Sequence, residues 1–343
     1  MSFTQPNKHR FTAVLHHERP DRVPNFEVLV ENPTFSQVMG CPQPYPHTLA
    51  NIDPDTYLEF ARRIGQDVVG LCFYSSPFRQ RNADGQLGPL LQRLTCHADL
   101  EQLVIIGNES LDAQFALLDR YVAALDGTDI GLFVLLGSFF TDTYDSVFGF
   151  ENFMCQLYDN RDLIEWVLDR YQQYYVAVAQ RLAQYPLTFM YFGDDIAYKG
   201  GTLVHPECLR ELWVPRMRAM MAPATARGIP IVFHSDGNIE ALLPDLIEMG
   251  VKAINPVEPY AMDITRIHRR YAGHLTLIGN LDVGGALSQG TPADVRREAE
   301  ALIDTVGRDG DLILASCHSI TANVKPENFL AMVQTAQQYG IYA

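Results

Sequence analysis

Apolar residues in this chain gather into eight short runs, each followed by a stretch of helical periodicity. The runs are "VPNFEVLV" from Val23, "DVVGLCFY" from Asp67, "IGLFVLLGSFF" from Ile130 and "LTFMYFGDD" from Leu187. They continue with "IPIVFHSDG" from Ile229, "KAINPVEP" from Lys252, "LTLIGNLD" from Leu275 and "LILASCHS" from Leu312. Between them lie amphipathic segments such as "RDLIEWVLDRYQQYYVAVAQRLAQY", in which Leu163, Ile164, Val167, Leu168 and Tyr171 share one face. Near-continuous apolar strands alternating with helices predict a parallel sheet covered on its outer face, and eight such units predict an α/β chain folded as a (β/α)8 TIM barrel. The second half repeats in short, regular units. Tyr74 to Asp129 and Phe140 to Pro186 hold extra material expected to stand as insertions over the barrel's C-terminal mouth. No linker, charge block or low-complexity segment marks a boundary, so residues 1–343 are read as a single domain. An open doubly wound sheet is the rival, disfavoured because "GNLDVGGAL" has glycines without the GxGxxG spacing.

Composition narrows the function. At 47% hydrophobic residues the chain can bury a large core, and its net charge of −15 repels phosphate backbones and anionic membranes, so nucleic-acid binding is excluded. No stretch reaches the roughly 20 apolar residues that span a bilayer, and "MSFTQPNKHRFTAVLHHERP" has no signal-peptide core. The six cysteines form no CxxC pair. A cytoplasmic protein with reduced thiols is the expectation.

In a barrel, strand ends meet at one mouth, and here those ends carry chemistry. Glu27 and Glu31 follow the first run, Ser138 and Asp142 the third, Asp194, Asp195, Tyr198 and Lys199 the fourth. His234 and Asp236 follow the fifth, Glu258 the sixth, Asn280 and Asp282 the seventh, Cys317 and His318 the eighth. Each has a plainer reading. Asp and Asn after strands often cap helices, and Asp236-Gly237-Asn238 can simply start "IEALLPDLIEMG". One histidine is more often a hydrogen-bonded structural residue than a ligand, and Cys317 can be a small buried hydrophobe. An aspartate of the 194–195 pair can form a salt bridge with Lys199. Taken together, however, His234 and Asp236 stand two apart on an extended strand and project to one side. With Glu258 and Cys317 from neighbouring strand ends they form a His/Asp/Glu/Cys set of the kind that suits zinc.

Several stretches then carry a family resemblance: "RFTAVLHHERPDRVP", "FGDDIAYKGG", "PECLRELWVPRMRAM", "FHSDGNIEALLPDLIEMGVKAINPVEP", "LIGNLDV" and "KPENFLAM". As a set, spread over nearly the whole chain, they resemble the uroporphyrinogen decarboxylase superfamily. The resemblance implies a (β/α)8 barrel and one of two activities: decarboxylation, or zinc-dependent methyl transfer to or from a corrinoid protein. True decarboxylases carry an amino-terminal stretch of the type PVWxMRQAGR, whose arginines hold the substrate's carboxylates. The matching place here is "VPNFEVLVENPTF", with Glu27 and Glu31 where guanidinium forks are needed. The methyltransferase branch carries a His-x-Cys pair and a distant Cys on its zinc. Here the pair reads His234-Ser235-Asp236, Cys317 falls near the place of the distant cysteine, and Glu258 is the suggested displaceable fourth ligand.

The resemblance thus implies a methyltransferase moving a methyl group from a small methylated donor to cobalt(I) of a corrinoid carried by a partner protein. A thiol or amine donor would use the same geometry, but the two sulfur ligands of thiol-activating relatives are missing, so a methoxylated donor is the expectation. A metal at the leaving oxygen stabilises the charge that develops there. Asp194, Asp195, Tyr198 and His318 are the expected catalytic residues, with Glu27, Glu31, Asp142 and Lys199 lining the substrate. Tyr198, Lys199 or His318 is expected to protonate the departing oxygen. Two alternatives stay open: a decarboxylase acting on a less anionic substrate, and a non-catalytic ligand-binding barrel.

Overall fold

A computed structural model of the chain describes residues 4–82, 84–90 and 93–342. Residues 83, 91 and 92 of the first expected insertion, and the first three residues of the amino-terminal stretch, lie outside the described residues. Seven strands run parallel and adjacent in chain order: β1 (Val68–Cys72), β2 (Gly131–Gly137), β3 (Phe189–Gly193), β4 (Ile231–His234), β5 (Val251–Asn255), β6 (Thr276–Leu281) and β7 (Leu312–Ser316). The sheet curls into the (β/α)8 barrel predicted from the alternation of runs.

The eighth stave departs from prediction. Residues 23–30 are extended but form only isolated parallel bridges, Asn25 to Leu314 and Val30 to Ile320. Pro24 has no N–H to donate, so only its carbonyl joins, accepting from Leu314 N at 2.9 Å, while Phe26 N donates to Leu314 O at 3.0 Å. On the other flank a side chain bridges the seam. Glu27 N donates to Gln66 Oε1 at 3.0 Å, and Gln66 Nε2 donates to Val68 O at 2.9 Å. The buried amide of Gln66 satisfies a donor and an acceptor that a regular ladder would have paired.

Alternation along the strands separates two apolar sets. Phe133, Leu135, Phe189, Tyr191, Val232, Ile278, Ile313 and Ala315 fill the barrel interior with Phe26 and Val28 of the stave. Helix α1 (Lys8–Leu15) adds Phe11, Val14 and Leu15 to this interior set. Phe11 stacks on Phe189 at 4.9 Å and Phe189 on Phe133 at 5.0 Å, with Phe26 edge-on to Phe133 at 5.4 Å. Gly70 makes room for this stack, since a Cβ there would lie 2.5 Å from the Phe133 ring.

The outward set, including Val69, Leu71, Val134, Leu136, Met190, Phe192, Ile231 and Phe233, belongs to the apolar layer shared with the surrounding helices. A helix follows every stave: α2 (Pro54–Ile64), α3 (Asp112–Leu125), α4 (Arg161–Leu182), α5 (Val214–Ala226), α6 (Leu243–Glu248), α7 (Ile264–Tyr271), α8 (Pro292–Thr305) and α9 (Pro326–Gln338). Their ends carry local signals. At α2, Asp53 accepts from Asp55 N, Pro54 opens the first turn, and Gly65 ends it at φ +59°. In α4 the predicted face of Leu163, Ile164, Val167, Leu168 and Tyr171 is buried.

Part of the expected extra material is therefore ordinary crossover helix, α3 in the first stretch and α4 in the second. The remainder leaves from strand C-terminal ends. It contains a three-stranded antiparallel sheet (Phe78–Arg81, Leu87–Gly88, Leu103–Ile105) and a helix over Phe150–Asp159. Phe78 of that sheet packs edge-on against Tyr171 of α4, with ring centroids 5.1 Å apart. Tyr74 brings its hydroxyl against Gly193 at the end of β3, 2.4 Å from where a Cβ would stand.

Candidate functional site

Strands β3 and β4 build the site. Gly193 pairs with His234, which pairs in turn with Asn255, so the three strand ends are level. Beyond His234 the chain breaks at Gly237, which has φ +83° and stands so close to the backbone of Tyr198 that a Cβ would lie 2.5 Å from Tyr198 N. Only glycine meets both conditions. The capping question resolves one residue later: Asn238 Oδ1 accepts from Glu240 N at 3.1 Å, which leaves the Asp236 carboxylate free to face the mouth. Asp282 does make a turn, accepting from Gly284 N at 2.8 Å.

At the mouth, one oxygen each of Asp195 and Asp236 and one ring nitrogen of His234 lie within 4.8 Å of one another. The other His234 nitrogen, Nδ1, is 3.1 Å from both Asn255 Oδ1 and the Tyr191 hydroxyl. Tyr191 donates its proton to Asn255 Oδ1 in a short hydrogen bond, and Asn255 Nδ2 donates to Ile278 O at 3.3 Å. Nδ1 therefore carries the His234 proton and Nε2 turns a lone pair outward. That nitrogen is 3.8 Å from Asp195 Oδ1 and 3.8 Å from Asp236 Oδ1, too far for a proton on it to bridge to either. Asp236 Oδ1 is buried and accepts no hydrogen bond among the described residues. Three electron-rich atoms turned on one gap repel one another unless a cation lies among them. A divalent ion with ligand bonds near 2.1 Å spaces tetrahedral ligands about 3.4 Å apart, and His234 Nε2 stands 3.8 Å from each carboxylate oxygen. These residues fit a metal.

The other expected residues fall into three groups. His318 joins the cluster, its Nε2 3.4 Å from Asp236 Oδ2. That contact raises the imidazole's pKa; burial would raise the Asp236 carboxyl, but the interaction with His318 leads the opposing influences and the carboxyl is held low. Glu258 and Cys317 lie outside the three-residue group. Both Glu258 oxygens are engaged, by Gly237 N and by the Tyr260 hydroxyl, and Cys317 Sγ accepts from Val283 N at 3.4 Å. Burial pushes the Cys317 thiol up to about 12.

Asp194 faces away from the cluster. Its carboxylate accepts from Phe140 N, Thr141 N, Thr141 Oγ1 and Trp213 Nε1 at 2.9–3.1 Å. Glu27 is 3% exposed and accepts from Ser316 N at 2.7 Å and Ser316 Oγ at 2.8 Å, completing the stave's junction with β7. Glu31 braces a loop, accepting from Ala322 N at 2.9 Å. Tyr198 and Lys199 are exposed on a hairpin, and Tyr198 lines a groove of about 650 Å³ with Met154, Leu157, Tyr158 and Cys208.

The mouth is acidic. Burial lifts Asp142 to about 7, helped by Asp194 and Asp145, and burial lifts Asp194 to about 6 against its hydrogen bonds. Sequence reasoning missed Tyr191, Asn255 and Tyr260. Asn255 was legible as a polar residue ending an apolar strand in "KAINPVEP". Tyr191 was not, because an aromatic inside a strand reads as core.

A family model described as Uroporphyrinogen decarboxylase (URO-D) matches residues 83–339, well over half of the chain. The chain belongs to the uroporphyrinogen decarboxylase family. No curated protein matches it by sequence. Among solved structures, a methyltransferase from Methanosarcina mazei shares the fold at 19% identity and TM-score 0.70, covering 98% of this chain and 99% of that chain. D-psicose 3-epimerase from Clostridium cellulolyticum H10 aligns at 12% identity and TM-score 0.45 over 85% of this chain and 95% of that chain, a general likeness of barrels only. The basic groups at the mouth described above are the histidines His234 and His318. Among the described residues no lysine or arginine forms an ion pair with Asp142, Asp194, Asp195, Asp236 or Glu258. No helix of the described residues is long and apolar enough to cross a membrane.

Proposed function

We propose that this member of the family is a methyltransferase, moving a methyl group from a small methoxylated donor to cobalt(I) of a corrinoid carried by a partner protein. The observation that carries the reading is the Asp195–His234–Asp236 cluster at an acidic mouth. A polycarboxylate substrate of the decarboxylating kind would meet like charges there, whereas a neutral ether would not.

His234, Asp195 and Asp236 would hold a zinc ion, which when bound supplies Lewis-acid stabilisation of charge on the departing oxygen. The chain's own groups do the rest. His318, half-exposed and raised in pKa by its contact with Asp236, stands beside the cluster to give a proton to that oxygen. Tyr260 is an exposed ring whose hydroxyl is tied to Glu258, and Glu258 in turn holds Gly237 N, so the ring is a fixed wall next to Asp236. Asp142, which titrates near 7, can donate to or accept from a polar substituent of the donor.

The test mixes purified protein, a reduced corrinoid protein and a panel of methoxylated aromatic and aliphatic compounds. Loss of the cobalt(I) absorption, with release of the demethylated alcohol, is expected. If every donor leaves cobalt(I) unchanged while a carboxylated substrate releases carbon dioxide without corrinoid, the chain is a decarboxylase and the reading fails.

A further inference from the structure

We infer that the metal of this chain is held by oxygen and nitrogen alone, through Asp195 Oδ1, His234 Nε2 and Asp236 Oδ1, and that Cys317 is not a ligand. The inference deepens the methyl-transfer reading and rests on it only in taking the mouth as the metal's place. Sequence pattern pointed to Cys317 and passed over Asp195 as a ligand; the tertiary structure places them the other way round.

Four observations carry it. One ligand atom of each residue lies within 4.8 Å of the others, and Nε2 is 3.8 Å from both Asp195 Oδ1 and Asp236 Oδ1. Nδ1 of the His234 ring is fixed by Asn255 and Tyr191, a support that leaves Nε2 free to bind. Asp195 is aimed by its own hydrogen bond, Oδ1 accepting from Asp236 N at 2.9 Å, so the backbone of one ligand orients the carboxylate of the other. Asp236 Oδ1 is a buried oxygen with no hydrogen-bond partner among the described residues, the kind of orphan a cation satisfies. Cys317 shows the opposite: the residue is 1% exposed and its sulfur is turned to Val283 N at 3.4 Å. Its sulfur is not among the atoms that converge on the cluster.

Ligand type has a consequence for the ion. Thiolate selects soft and borderline ions, whereas one imidazole with two carboxylates accepts manganese(II), iron(II) and cobalt(II) as readily as their place in the general affinity order allows. With two anionic ligands and one neutral, a divalent ion is neutralised at the site. A third anionic ligand would leave it net negative and a weaker Lewis acid.

Cobalt(II) substitution reads the ligands directly. The chelator-treated full chain, titrated with cobalt(II), should show the weak visible bands of an oxygen and nitrogen site and no intense sulfur-to-cobalt band in the near ultraviolet. Cys317→Ser and Cys317→Ala should leave cobalt affinity within about twofold and the spectrum unchanged, whereas Asp195→Asn should weaken affinity at least tenfold. A sulfur-to-cobalt band in the wild-type protein that vanishes in either Cys317 variant overturns the assignment. So does Asp195→Asn binding cobalt as well as wild type with native circular dichroism. The titration needs neither donor nor corrinoid. Wild-type protein that binds no cobalt yet still consumes cobalt(I) corrinoid would refute the metal site and leave methyl transfer standing; binding without turnover would do the reverse.

Discussion

Replacing Glu27 by glutamine removes a carboxyl from the seam of the barrel while keeping its shape. Burial lifts this group to about 8, against the smaller downward pull of hydrogen bonds from Ser316. The protonated acid is chemically comfortable there: one oxygen still accepts from Ser316 N, and the Ser316 hydroxyl can rotate from donor to acceptor. The sign follows from the raised value. Between the ordinary 4.5 of an unfolded glutamate and the folded value of about 8, the folded protein holds a proton that the unfolded chain has released. Stability from this group is complete below about 4.5 and is lost as pH rises through 8. At roughly 1.4 kcal/mol per unit, the loss is on the order of 5 kcal/mol. Glutamine cannot ionise and keeps both partners. Urea unfolding followed by circular dichroism at several pH values should therefore find Glu27→Gln within about 1 kcal/mol of wild type at pH 5. By pH 8 it should be more stable than wild type by a few kcal/mol. Stability profiles that run parallel from pH 5 to 8 would refute the reasoning, because they would mean that the folded protein carries Glu27 ionised throughout.

Gly237→Ala should cost about 1–2 kcal/mol for the left-handed backbone, plus the push against Tyr198. It should also lower cobalt(II) affinity more than tenfold by displacing Asp236, as read in the same titration. Asp194→Asn offers one oxygen to four donors and turns its amide against an N–H that it cannot satisfy. A loss of about 2–5 kcal/mol in urea unfolding is expected, and unchanged stability would mean that Asp194 does not anchor Trp213 and the loop after β2. Gln66→Leu leaves Glu27 N and Val68 O unpaired in the interior. About 2–4 kcal/mol should be lost, with hydrogen exchange at the Glu27 amide accelerated more than at Leu314 N, which keeps its partner in the stave.

Hydrophobic periodicity is a local property, and what depends on it was legible in the sequence. The strand-helix alternation, the buried face of α4 and the gathering of polar residues after "LTFMYFGDD" and "IPIVFHSDG" all follow from spacing within a few residues. The family motifs lie along most of the chain for the same reason. What the tertiary structure alone decided is how groups from different strands meet. Nothing local distinguishes Asp194 from Asp195; the direction of the chain leaving β3 sends one to Trp213 and the other to His234. Likewise Cys317 and Asp195 are equally plausible ligands on paper, until the register of β7 turns the sulfur to Val283 and the end of β3 turns the carboxylate to Asp236 N. The stave at residues 23–30 read as a strand because its apolar alternation is real, but its pairing depends on Gln66, some forty residues away, supplying the hydrogen bonds that one flank of the stave takes from a side chain. A ligand set is a property of convergence, and convergence is fixed by strand order, register and twist, which no window of sequence contains.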